Sequence, residues 1–304
     1  MKPAEIVLFV VRASLALTVL AVCLNGRAGD ATYLLRHPRL LLRSFIAMSV
    51  VMPFVALWFA IVFALSPPVK LALITLAISP VPPFLPDKAL KSGGDSSYDV
   101  SLLTTMSALS IVVIPLTMLL FGRLFGLPLT VPATTIANIV VNGILLPAAI
   151  GLSVRRFAPV LADKVMRPIA ILAKLMLVGG LIPLLIKTWP AIHSVVDDGT
   201  LFAIIAITLI GLAVGHVLGG PVPDDRPVLA LATASRHPAV AIAVASTMFP
   251  NEHMVGAAVL ANVLITAAVT IPYVRMSRRA LHSSKPRGGS HDHADAPSPS
   301  HRRA

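Results

Sequence analysis

Apolar runs close to the length of a bilayer crossing recur along the whole chain. A hydrocarbon core demands about 20 consecutive apolar residues per helix, and such runs fall at about residues 5–24, 44–65, 69–86, 98–121, 132–154, 165–187, 200–218, 228–249 and 254–275. They are continuous, whereas the strands of a membrane β-barrel alternate over about 10 residues. Only 12% of residues are charged, roughly half the fraction of a soluble domain. The expectation is an all-α polytopic membrane protein with nine transmembrane helices. Short connections make neighbouring spans antiparallel hairpins in a single domain, residues 1–275. Residues 283–304, "SSKPRGGSHDHADAPSPSHRRA", cannot bury enough surface to order themselves and read as a disordered tail.

The net charge of +12 would suit nucleic acid, but its placement excludes that partner. The positive charges sit in short connections and in the tail. With the tail in the cytoplasm and the N-terminus outside, 18 Lys and Arg fall on the inner side and four on the outer. That asymmetry selects this orientation, in a plasma (inner) membrane. Arg12, Lys174 and Arg236 lie inside spans; Arg12 and Lys174 are expected to snorkel. The first run reads as a retained helix rather than a signal peptide. The single cysteine, Cys23, allows no disulfide framework.

Two segments echo each other. "ALSIVVIPLTML" (108–119) and "LITAAVTIPYVRM" (264–276) both place a proline late in an apolar run. Each follows a proline-broken span at a matching distance, Pro80 to Pro115 and Pro238 to Pro272. The paired spans are the third with the eighth and the fourth with the ninth. An odd separation inverts one half relative to the other. The expectation is inverted repeats of four and five helices, about 5–121 and 132–275, with two crossing discontinuous helices, the pattern of secondary transporters.

The third span holds Pro80, Pro82, Pro83 and Pro86 within seven residues and cannot remain helical. Backbone freed at membrane depth must line a cavity or be buried in protein. The eighth span, "LALATASRHPAVAIAVAS" (229–246), sets Arg236, His237 and Pro238 in a row. A mid-membrane arginine costs roughly 3 kcal/mol even on lenient scales, so Arg236 is expected to face a wet cavity or a partner. It can anchor an anion through its planar fork or form a structural ion pair, with Asp99 the leading partner. His237 could relay protons or simply pack. Asn138 and Asn142 share a helix face, and Asn262 lies in the last span. These asparagines can line a cavity or join helices.

The segment "RHPRLLLRSFIAMSVVMPFVALWFA", the stretch from Pro80 through "KSGGDSSYDVSLLTTMSALSIVVIPL", and "ATASRHPAVAIAVA" together resemble the bile acid:sodium symporter family, within the wider bile, arsenite and riboflavin transporter superfamily. The resemblance spans roughly residues 5–275. It implies alternating access between a helix panel and a core of broken helices. It also exposes departures. The family's sodium-binding glutamate, glutamine and asparagine of the second crossing helix fall on Ala232, Arg236 and His237. The first-crossing Ser-Asn pair falls on Leu85 and Pro86, the later serine on Asp99 and the threonine near Leu103 or Thr104.

A guanidinium where a cation would sit repels a second cation 4 Å away by roughly 4 kcal/mol at an effective dielectric of about 20. The two-sodium site is therefore not expected. Arg236 would stand in for the ion in a uniporter or a proton-linked carrier, with one sodium near Asp99, Ser101 and Thr104 as the alternative. The expected function is transport of a small organic anion without a cofactor. A cation or proton exchanger and a non-transporting receptor are the alternatives. Neither a metal site nor an enzyme is expected, since no His/Asp/Glu cluster inside the spans has ligand spacing. Arsenite export is disfavoured because Cys23 is not in a core helix. Substrate, direction, coupling ion and oligomeric state are not legible.

Overall fold

The computed structural model describes residues 3–27, 29–83, 89, 91–125, 131–249, 252 and 254–284, and those residues contain helices and no strand. The first apolar run forms α1 (Pro3–Asn25). A turn then leads into the short α2 (Tyr33–Arg36), bent by 101° from the end of α1. The second run is α3 (Pro38–Phe45), a π turn (Ile46–Val51) and α4 (Met52–Val62), stacked as one span.

The third run is short. Its helix α5 covers only Pro67–Ile78, because Pro80, Pro82 and Pro83 end it. The chain continues through α6 (Ser96–Phe125) and then α7 (Ala133–Val140), a second π turn (Val141–Leu145) and α8 (Leu146–Phe157). After these come α9 (Pro159–Val195) and α10 (Asp198–Leu218), the latter opened by Asp197, whose carboxylate accepts the Thr200 N–H at 2.6 Å. The eighth run splits into α11 (Asp225–Ala234) and α12 (Pro238–Met248). The last is α13 (Val255–Ser284).

Each of the nine apolar runs is thus helical, but the expected count of nine crossings is not met. Among the described residues seven helices are long and apolar enough to cross a membrane, eight if the bent pair at the start is one span. The shortfall includes α5, which at 12 residues is half a crossing. Helix α13 also runs into the expected tail, taking in Ser283 and Ser284, and the rest of that tail lies outside the described residues.

Helix α1 packs along α9 and against α8. The approach is close because glycines face it: a Cβ on Gly180 would lie 2.7 Å from Val11, and one on Gly151 2.9 Å from the Leu20 carbonyl. The same device sets α10 on α11. Gly211, Gly215 and Gly219, four residues apart on one face, lie against the backbone of Ala234, Ala230 and Arg226, where a Cβ would come within 2.9 Å of each Cα. Small residues at this spacing let membrane helices touch backbone to backbone.

Candidate functional site at the helix crossing

The site is built from the ends of the two broken runs. Helix α5 stops at Ser79, which turns to extended backbone (φ −71°, ψ 153°). Each proline that follows lacks an N–H and disfavours helix in the residue before it. Helix α11 stops at Ala234, and residues 235–237 are not helical. Pro238 does not interrupt a helix from within. It opens α12 from the first position, where its missing N–H is no loss. His237 caps that helix, its Nδ1 accepting the Val240 N–H at 3.4 Å.

The two breaks touch. The His237 N–H donates to the Pro80 carbonyl at 3.0 Å. One residue earlier, Arg236 Nη1 donates to the Ser79 carbonyl at 3.2 Å. That carbonyl closes the C-terminal, electronegative end of α5, where a cation is favoured. Arg236 Nη2 donates to the Met48 carbonyl at 2.9 Å.

The third contact has a cause in the sequence. Within the π turn amides reach back five residues, so Met52 N–H bonds the Ala47 carbonyl. The next donor in that register is residue 53, which is proline. The Met48 carbonyl is left open, and the guanidinium fills it. The second π turn, which ends at Leu145, likewise has a proline two residues on, Pro147.

Arg236 is 9% exposed and His237 4%. The expected ion pair between Arg236 and Asp99 does not form: both hydrogen bonds of Arg236 run to backbone carbonyls, and no described carboxylate is within ion-pair distance of it. Its Nε–H is buried without an acceptor among the described residues. The guanidinium therefore holds three chain segments together and keeps its Nε–H in reserve.

Asp99 is elsewhere, buried in the wall of a cavity of about 360 Å³ between α1, α6 and α9. Asn25, Ser96, Arg167 and Lys174 line the same cavity, and Arg236 does not. Lys174, expected to snorkel, thus shares a wall with Asp99. That neighbour is missed in the sequence because a lone lysine in an apolar run reads as a snorkelling side chain.

The remaining candidates are scattered. The Ser101 hydroxyl accepts the Leu34 N–H at 2.7 Å and donates to the Ala31 carbonyl at 3.2 Å, tying α2 to α6. Thr104 bonds the Val100 and Ser101 carbonyls of its own helix. Residues two apart on a helix point about 200° away from each other, so Asp99 and Ser101 face opposite sides of α6. Asn138 and Asn142 are exposed, with Asn142 Nδ2 donating to the Asn138 carbonyl at 2.9 Å. Asn262 accepts from Thr266 one turn along its own helix, and it is Thr266 that meets Thr208 of α10. Leu85 and Pro86 lie outside the described residues.

Residues 13–194 match the model of the Sodium Bile acid symporter family. The chain belongs to that family. Compared with the curated proteins, the sequence matches none. Members of the sodium bile acid symporter family are membrane transporters and not enzymes, so this is an integral membrane transporter acting on a small-molecule substrate. The matched region ends inside α9. The first break and Asp99 fall within it. Arg236 and His237 fall beyond it.

Proposed function

We propose that this protein is a secondary carrier of a small organic anion, working by alternating access without the family's two-sodium site. The observation that carries the reading is the seat of Arg236. Free carbonyls at a helix break are the groups that bind coupling cations in such carriers, and here the Ser79 and Met48 carbonyls are taken by a guanidinium. A permanent charge at that place removes the need for an ion and repels one.

Substrate would enter the cavity between α1, α6 and α9, whose wall carries Arg167 and Lys174 against one carboxylate, Asp99. Two cations to one anion favour an anionic ligand. On this reading the nine runs form inverted halves of four and five. Helices α1, α8 and α9 are the panel and the broken helices the core. The arginine-rich side is cytoplasmic and the membrane is the inner one. Asp99 in the cavity wall favours a proton-linked version over a simple uniporter.

The test is uptake of a set of radiolabelled organic acids into proteoliposomes, with Na⁺ and pH gradients imposed separately. Uptake of at least one acid is expected without Na⁺, and it should rise when a proton gradient is imposed. Uptake strictly dependent on an inward Na⁺ gradient would overturn the reading.

A further inference from the structure

A second concave site lies away from the crossing, where α2 and α3 meet the start of α11. It has a volume of about 450 Å³, and Arg36, His37, Arg39 and Arg43 line it opposite Val222 and Asp225. Its depth in the membrane follows from the helices around it. Pro38 opens one span, Asp225 opens another, and Leu218 closes a third just before it. The site therefore sits at the boundary between water and hydrocarbon on the arginine-rich side.

Three guanidinium groups against one carboxylate in its wall make the site cationic, and among the described residues their donors are unspent. None of Arg36, Arg39 and Arg43 bonds another described residue through its side chain. Neighbouring arginines on the same side behave otherwise. Arg155 donates to the Gly26 carbonyl and pairs with Asp163, and Arg226 donates to the Gly220 carbonyl. Gly220 adds to the shape of the site. At φ +91° it adopts a left-handed turn, and a Cβ there would meet Arg43 Nη1 at 3.0 Å. Its bare backbone gives the Arg43 guanidinium room.

The helix carrying these arginines also carries an apolar lane. Arg39 and Arg43 are one turn apart, and Leu42 and Ile46 follow each by three residues, about 60° round the helix. Leu42, Ile46, Val50 and Phe54 are all exposed and descend from the site into the membrane. A cationic hollow at the interface with an apolar lane below it fits a ligand that has an anionic head and a hydrocarbon tail.

We propose that this hollow binds the phosphate head of an anionic phospholipid, with an acyl chain lying along Leu42, Ile46 and Val50. Planar guanidinium groups grip phosphate oxygens in pairs, and basic pockets between helix ends are where lipid heads dock. Inorganic phosphate offers the same oxygens without the tail, so the experiment separates the two sources.

The full chain, purified in detergent, is titrated with phosphatidylglycerol, with phosphatidylcholine or with inorganic phosphate. Intact-protein mass spectrometry then counts lipids retained per chain. One phosphatidylglycerol per chain is expected at concentrations where phosphatidylcholine and phosphate have no effect. Arg39→Gln with Arg43→Gln should weaken retention by about thirtyfold, while Arg156→Gln, on the same side but outside the hollow, leaves it unchanged. Arg39→Lys with Arg43→Lys should restore most of the loss. The melting temperature without lipid serves as the folding control for every variant. Equal retention by the double glutamine variant, equal retention of phosphatidylcholine, or displacement by inorganic phosphate would overturn the assignment.

Discussion

Two proline-rich regions of this chain behave in opposite ways. Residues 79–83 hold Pro80, Pro82 and Pro83 and are broken, whereas α9 holds Pro168, Pro183 and Pro190 and is one helix of 37 residues. Spacing is half of the difference. The prolines of α9 are at least seven residues apart, so each removes one amide from an otherwise intact ladder. Those of the break are nearly adjacent and leave a single amide among four residues. Partners are the other half. Carbonyls freed in the break are met by Arg236 and by the His237 N–H. Burial follows the same division: 72% of an 18-residue apolar stretch of the broken span Asp225–Met248 is inside the protein, against 11% of such a stretch of α9. A break in the membrane persists where another segment brings donors to it.

The strongest way to break this comparison is to remove the donors. Arg236→Met leaves the Ser79 and Met48 carbonyls buried and unpaired, which should cost about 3 kcal/mol. Thermal unfolding in detergent reads that loss, and uptake in proteoliposomes should fall at least tenfold. Arg236→Lys keeps the charge but not the fork. An intermediate melting temperature with lost transport would assign the role to geometry. An Arg236→Gln variant with wild-type uptake would remove the residue from the mechanism.

Much of this crossing is legible in residue types. Four prolines in seven residues announce the first break, and Arg236-His237-Pro238 announce the second. Both lie where expected and touch. The acceptors are not legible, because they are backbone carbonyls with no side-chain signature. The Met48 carbonyl is open only because a π turn shifts the register by one ahead of Pro53, and nothing in "IAMSVVMP" specifies a π turn over an α turn. The expected company of Asp99, Ser101 and Thr104 conflicts with helical geometry itself, since residues 99 and 101 face opposite ways. The asparagines are ambiguous for a different reason. A polar group in a span needs a partner, but the sequence does not say whether that partner is ligand, helix or the turn above.

Burial of the broken span depends on how closely α10 lies against it, which gives a second and smaller test. A Cβ on Gly215 would lie 2.5 Å from both the Ala230 Cα and the Leu229 carbonyl, and backbone cannot yield as a side chain can. Gly215→Leu should therefore destabilise the protein by about 2 kcal/mol and displace α11, taking Arg236 with it. Gly143 is the control, because a Cβ added there would meet nothing within 4 Å. Gly143→Ala should leave the melting temperature unchanged or slightly higher. Equal losses at both positions would mean that glycine flexibility, rather than the α10–α11 contact, holds the broken span in place.

The smallest expected effect separates spacing from partners directly. Pro183 is exposed, within α9, and its missing amide leaves the Gly179 carbonyl without its helical donor. Pro183→Ala restores that donor at little loss of packing and should stabilise the protein by about 1 kcal/mol. Pro82 is buried in the break, flanked by Pro80 and Pro83. Pro82→Ala returns one amide to a segment that has no helix to join, since the Ser79 and Pro80 carbonyls are already committed to Arg236 and His237. Its stability should stay level or fall. If Pro82→Ala instead stabilised the protein as much as Pro183→Ala, the missing amides alone would account for the break. Arg236 and His237 would then be occupants of a gap that exists without them, and their hydrogen bonds a consequence of the crossing rather than its cause.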